Sequence, residues 1–253
     1  MKRIAILDVE TNERGFVFDI GLIIAEKTGK IVFEYQWILE NHFFAPLFFE
    51  NLREIYLQRL NEGKYPCKMV NVAEAFAEIT ENLQKFNVKE VYAYNAGFDA
   101  GKIAKMAQLH DEKNPLENLT IECLWAWTCQ TIFQQKTFQK FCENNEFTTK
   151  TGNFKTNAEV AYAYITRNPI FEEEHTGLED AYIELEIFLH CNKQKQFRLR
   201  GIIGNPWILA QTNEQIEKLP KRFRTMEVNM REQIEKGYQL LKKLDKPLKI
   251  KIA

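Results

Sequence analysis

Three apolar runs lie within the first forty residues, separated by little more than turns. The first is Ile4–Leu7, the second Phe16–Ala25 (FVFDIGLIIA), the third starts at Ile31. Between the last two sits Lys27-Thr28-Gly29-Lys30, a hairpin-type turn. Apolar runs bounded by turn residues read as strands. Residues 2–9, 16–25 and 31–39 are therefore expected to form an antiparallel meander. From Phe43 to Glu62 the spacing of Leu47, Leu52, Ile55, Tyr56 and Leu60 turns helical. Asn71, with Glu74 three residues on, predicts a capped helix running to about Phe86. Lys89–Tyr94 is expected as a fourth strand, Asp99–His110 as a helix and Leu119–Leu124 as a fifth strand. Helical stretches follow over roughly 125–145 and 157–167, divided by a polar loop or hairpin at 147–156. Thr176–Cys191 reads as a strong helix. Strands alternating with helices in this way predict an α/β layer fold.

No apolar run reaches the 18 residues of a membrane helix, and the N-terminus lacks a signal-peptide pattern. The five cysteines are odd in number and scattered, with no C-x-x-C pair. They predict reduced thiols in an intracellular, cytoplasmic protein. The net charge of −1 hides an asymmetry: residues 192–253 hold 15 Lys+Arg against 6 Asp+Glu, a net of +9, leaving −10 for residues 1–191. The chain thus divides into a body at 1–191 and a basic, largely helical extension at 192–253, interrupted near Pro220. Such an extension is a candidate contact for a polyanion. A solvated helix face explains it equally well.

Acidic charge is carried almost wholly by Glu, with only six Asp at 8, 19, 99, 111, 180 and 245. Three of these fall in short motifs: Asp8-Val9-Glu10-Thr11 at the first strand's end, Asn95-Ala96-Gly97-Phe98-Asp99 after the fourth, and His175-Thr176-Gly177-Leu178-Glu179-Asp180 opening the long helix. Asp8 and Glu10 are two apart on a strand, so both carboxylates point to one face. Burying like charges so close is costly unless something compensates. Singly, each motif has a plain structural explanation: a solvated strand end, an Asx turn with Asp99 as a helix cap, a first-turn acid.

As an ordered set, LDVET, YNAGFD and HTGLED resemble the DEDDh group of 3′–5′ exonucleases in the RNase H-like superfamily. The resemblance spans about residues 1–191. It implies an RNase H-like mixed sheet with flanking helices and hydrolysis of phosphodiesters from a 3′ end. It further implies two divalent ions, Mg²⁺ or Mn²⁺, held by Asp8, Glu10, Asp99 and Asp180, with His175 as the general base. Hard cations favour oxygen ligands, and imidazole is suited to base catalysis near neutral pH. Thr11, Asn95, Phe98, Phe16 and Lys102 are the candidate substrate contacts. The sequence departs from the family pattern in the longer, charged turn Thr11-Asn12-Glu13-Arg14-Gly15-Phe16, where Phe16 is expected to open the next strand rather than wedge against a base. It departs again at Tyr94, where the family often has His.

Lys105, Lys150, Lys155 and Arg167 are further candidate backbone contacts, as are Lys221, Arg222 and Arg224 in the extension. Trp125, Trp127 and Trp207 are expected in the core rather than against bases. The expected partner is the 3′ end of single-stranded DNA, with RNA trimming close behind. A catalytically silent nucleic-acid-binding module is the other class, and the extension is a candidate contact for a replication protein. No membrane partner is expected.

Overall fold

A computed structural model describes residues 2–45, 50–63, 65–173, 175–194 and 197–244. Among these residues six strands form one mixed sheet: β1 (Arg3–Thr11), β2 (Val17–Glu26), β3 (Ile31–Leu39), β4 (Cys67–Val70), β5 (Glu90–Ala93) and β6 (Thr120–Cys123). Their spatial order is β4-β3-β2-β1-β5-β6. The meander is present, with β1–β2 and β2–β3 antiparallel. The remaining pairings, β1–β5, β5–β6 and β3–β4, are parallel. Among the described residues ten α-helices accompany the sheet: α1 (Glu40–Phe43), α2 (Glu50–Glu62), α3 (Val72–Lys85), α4 (Ala96–Leu109), α5 (Leu124–Gln130), α6 (Lys136–Asn144), α7 (Ala158–Thr166), α8 (Gly177–Lys193), α9 (Asn213–Glu217) and α10 (Lys221–Leu244). Among the described residues no helix is long and apolar enough to cross a membrane. All five cysteines are free thiols.

Alternation along β1 sorts its residues between two cores. Ala5, Leu7 and Val9 face the layer that holds Phe76 and Ile79 of α3 and Ile103 and Met106 of α4. Ile4 and Ile6 face the opposite layer, with Leu178, Ile187 and Phe188 of α8. Asp8 and Glu10 continue the Ile4/Ile6 parity, so they point towards α8. On β2, Asp19 and Gly21 share the parity of Ile23 and Ala25, which also face α8. A Cβ on Gly21 would run into the Gly177 carbonyl group, so glycine is what lets the start of α8 lie directly on β2.

Several boundaries differ from the sequence reading. β4 was not expected: its four residues, Cys-Lys-Met-Val, are too few for a periodic signal, and pairing with β3 makes it a strand. Asn71 does cap α3, accepting from the Glu74 N–H at 2.9 Å. α4 begins at Ala96 rather than Asp99, because Asn95 takes a left-handed conformation (φ 61°) that turns the chain out of β5 early. The stretch 125–145 is broken at Thr131, whose backbone is non-helical. Thr128 and Thr131 both donate their hydroxyls to carbonyls four residues back, a pattern that loosens a helix. The helical stretch expected over 43–62 is α2 with part of α1, and residues 46–49, including Leu47, lie outside the described residues.

The extension packs against the body. Ile208, Leu209, Ala210 and Met230 belong to the same core as α8. Two of its cations are engaged there: Arg198 and Arg200 bind Glu122, and Arg200 also reaches Glu90.

Candidate active site

The parallel pairing of β1 with β5 stops at Ile6 and Tyr92. Beyond it β1 continues through Asp8 and Glu10 while the chain after β5 turns into α4. A crevice at such a splay, outside the carboxyl ends of parallel strands, is where α/β sheets place their sites. Three segments supply acids to it.

From α4, Asp99 is 3% exposed and accepts from the Val9 N–H at 3.3 Å, fixing the helix start against the end of β1. From α8 come Asp180 and, one turn later, Glu184, which is 2% exposed. Glu184 accepts from the Tyr94 N–H at 2.8 Å, so α8 is tied to the junction that leads to Asp99. From β1 come Asp8 and Glu10. One oxygen each of Asp8, Asp99, Asp180 and Glu184 is buried with no hydrogen-bond partner.

The electrostatics follow from this crowding. Burial pushes Asp8 well above the ordinary carboxylate range, and Glu184, Asp99, Asp180 and Glu10 push it further. Burial raises Glu10 and Asp99 each to about 7. Asp180 rises to about 9 through burial and then the charges of Glu173 and Glu10. Glu184 is also held well above its usual value by burial and by Asp99. The charged groups acting on Asp8 are all acids, which is the situation a bound cation relieves.

His175 lies at the rim. Its side chain is 70% exposed, with Nδ1 4.0 Å from a Glu173 oxygen. Glu10, His175 and Asp180 each offer one ligand atom, all within 4.8 Å of one another. The His175 backbone is left-handed (φ 53°), and its carbonyl accepts from Tyr56 Oη at 3.2 Å. Asp19, the partner of Glu10 across β1–β2, supports this corner. Its carboxylate accepts from the Gly177 N–H (2.9 Å), Tyr56 Oη (2.8 Å) and Gln36 Nε2 (2.7 Å). A carboxylate at the first turn of α8 is also favoured by the helix dipole.

The five expected catalytic residues are thus brought together. The proposed substrate contacts divide. Thr11 ends β1 beside a register shift, half-buried. Phe98 is 42% exposed next to Asp99. Asn95 makes no side-chain cap bond, and its visible role is the left-handed turn. Lys102 is engaged, donating to the Gly15 carbonyl at 2.9 Å and lying 5.0 Å from the centre of the Phe98 ring. Phe16 does not open β2, which begins at Val17. It stacks on His42 with Lys105 over its ring, because Asn12 folds the turn by accepting from the Arg14 and Phe16 N–H groups. Trp127 is buried, as expected, with the Arg198 guanidinium 3.9 Å from its ring centre.

Two residues escaped the sequence reading. Glu184 follows Asp180 by four positions, the spacing that shares a helix face, on a side otherwise lined with Ala181, Leu185 and Phe188. Asp19 interrupts an apolar strand, and its rarity among the acids was a signal. No protein-family model matches the chain, and no curated protein matches it.

Proposed function

We propose that the protein is a metal-dependent 3′–5′ exonuclease of the DEDDh type, RNase H-like in fold, acting on single-stranded nucleic acid and on DNA in preference to RNA. One observation carries this reading. Asp8, Asp99 and Asp180 converge from three distant segments, each with a buried oxygen lacking a partner, beside an exposed histidine. The antiparallel meander in a mixed sheet supports the fold assignment.

Asp8, Glu10, Asp99 and Asp180 would hold two divalent cations, Mg²⁺ or Mn²⁺; these oxygen ligands suit hard ions, which when bound neutralise the phosphate and help ionise the attacking water. In this reading His175 accepts the proton of that water as its oxygen bonds to phosphorus and the 3′-oxygen of the preceding nucleotide leaves. Exposure places the imidazole where water and a strand end can reach it. Tyr56 and Asp19 hold the backbone that follows the His175 side chain, at the His175 carbonyl and the Gly177 N–H. Phe98 offers an apolar face for the terminal base, and Thr11 its backbone. The extension offers cations to the rest of the strand, and a replication protein is a further partner for it.

The test is a time course on 5′-labelled single-stranded DNA and RNA with Mg²⁺, Mn²⁺ or EDTA, beside Asp8→Asn and His175→Ala. The expected result is shortening from the 3′ end, abolished by EDTA and by Asp8→Asn, and about 10²-fold slower in His175→Ala. No cleavage in any metal rejects the nuclease. Faster cleavage of RNA than of DNA reverses the substrate preference.

A further inference from the structure

The hairpin at 147–156 and the extension enclose a cleft of about 560 Å³, the size of small-ligand sites in general. Its lining includes Trp125, Trp207, Phe154 and Phe223, with Lys155 and with Lys218, which is paired with Glu214 at 2.7 Å. Trp125 and Trp207 pack against the core, as expected, but unlike Trp127 they are only half-buried and keep part of their surface open to the cleft.

The cleft is held together by side-chain amides. Gln211 pairs with the backbone of Phe154 in both directions, accepting from its N–H at 2.7 Å and donating to its carbonyl at 3.4 Å. Gln215 donates to the Gly152 carbonyl at 2.7 Å. The hairpin is thereby clamped to the extension, and the aromatic walls are fixed in advance of any ligand.

A second set of contacts joins the cleft to the acidic site. Trp125 Nε1 donates to Thr156 Oγ1 at 2.9 Å, and Tyr94 Oη donates to the Thr156 carbonyl at 2.6 Å. The N–H of that same Tyr94 binds Glu184. Ile203 packs with Trp125 against Ala93 and Ala96, on the path from β5 into the Asp99 motif.

Charge decides what fits. The Arg222 guanidinium lies 4.6 Å from the centre of the Phe223 ring, and Phe223 meets Trp207 edge-on at 5.5 Å. Lys221 and Arg224 flank the Arg222-Phe223 pair in sequence, and Lys155 stands exposed on the other wall. Aromatic faces bordered by cations match a nucleobase whose phosphates lie at the rim.

We propose that this cleft stacks a base of the single strand upstream of the 3′ end, so that the extension forms part of the substrate path. The idea rests on the nuclease reading for its choice of strand, but its test does not need hydrolysis. Binding of a fluorescent oligothymidylate of about 12 nucleotides is followed by anisotropy, with Ca²⁺ and again with EDTA, together with tryptophan emission. The expected result is quenched tryptophan emission on saturation and affinity at least about five-fold weaker in Trp207→Ala. Lys155→Glu, on an exposed side chain, weakens binding in the same direction and guards against misfolding of the first variant. Unquenched emission with unchanged affinity in both variants overturns the proposal, as does failure of the wild type to bind. A protein that quenches but never cleaves keeps the cleft and rejects the nuclease. One that cleaves with affinity unaltered by either variant keeps the nuclease and rejects the cleft.

Discussion

Glu122 and Glu184 are both buried carboxylates near β5, and their surroundings are opposite. Glu122, on β6, is 1% exposed and accepts from Arg198, Arg200 and the Gly201 N–H. Its neighbour Glu90 is met by Lys2, Lys27 and Arg200. Burial works against both charges, but these donors outweigh it, so Glu122 sits below its usual range and Glu90 falls to about 2. Glu184 has one backbone N–H and otherwise acidic company, and it sits well above. One cluster is complete within the chain and ties the extension to the sheet. The other concentrates negative charge without internal compensation, which is useful only if positive charge arrives from outside.

The largest effect separates the clusters by function. Asp8→Asn or Asp99→Asn is expected to cut the proposed nuclease activity by about 10³-fold or more, whereas Glu122→Gln leaves that chemistry intact in whatever protein remains folded. Equal losses per folded molecule would erase the distinction. Next is stability. Glu122→Gln leaves the largely buried Arg198 guanidinium without a carboxylate, while Arg200 keeps Glu90, and should cost about 3 kcal/mol in a denaturant titration. A change near zero would show that the complete cluster does not hold the extension.

The pH response should run in opposite directions. Glu90 and Glu122 are ionised more easily when folded, so their contribution is present above the ordinary glutamate pKa of 4.5 and is lost as pH falls towards 2. Asp99 and Asp180 bind protons more tightly when folded, so stability declines as pH rises from about 4 to their values of about 7 and 9. In EDTA the melting temperature is therefore expected to peak near pH 5 and drop by about 5 °C or more by pH 8, with Mg²⁺ or Mn²⁺ restoring it more at pH 8 than at pH 5. A flat metal-free profile would contradict the uncompensated cluster. The smallest effect is Glu184→Gln. It retains the acceptor for Tyr94 N–H and removes one negative charge, so it should raise the metal-free melting temperature at pH 8 by about 2–4 °C. A fall would mean that the carboxylate charge itself is stabilising.

The meander was legible because β1, β2 and β3 are long apolar runs with a local turn between the last two. The cap of α3 was legible because a cap is a contact three residues wide. The three motifs could be read as a set because each contains one of the few Asp residues. β4 could not be read, since its strand state comes from β3, some thirty residues earlier. Lys102 looked like a free cation, and only the folded turn shows the Gly15 carbonyl and the Phe98 ring in its path.

By itself, then, the sequence determined the alternation of strands and helices, the identity of the acids, and that Asp8 and Glu10 share one face of β1, because these depend on residues within a turn or two. Tertiary structure alone decided that Gly21 admits α8, that Glu184 and Asp19 join the site, and that the hairpin and extension enclose an aromatic cleft. Each of those depends on distances between segments far apart in the chain, and side-chain periodicity carries no information about them.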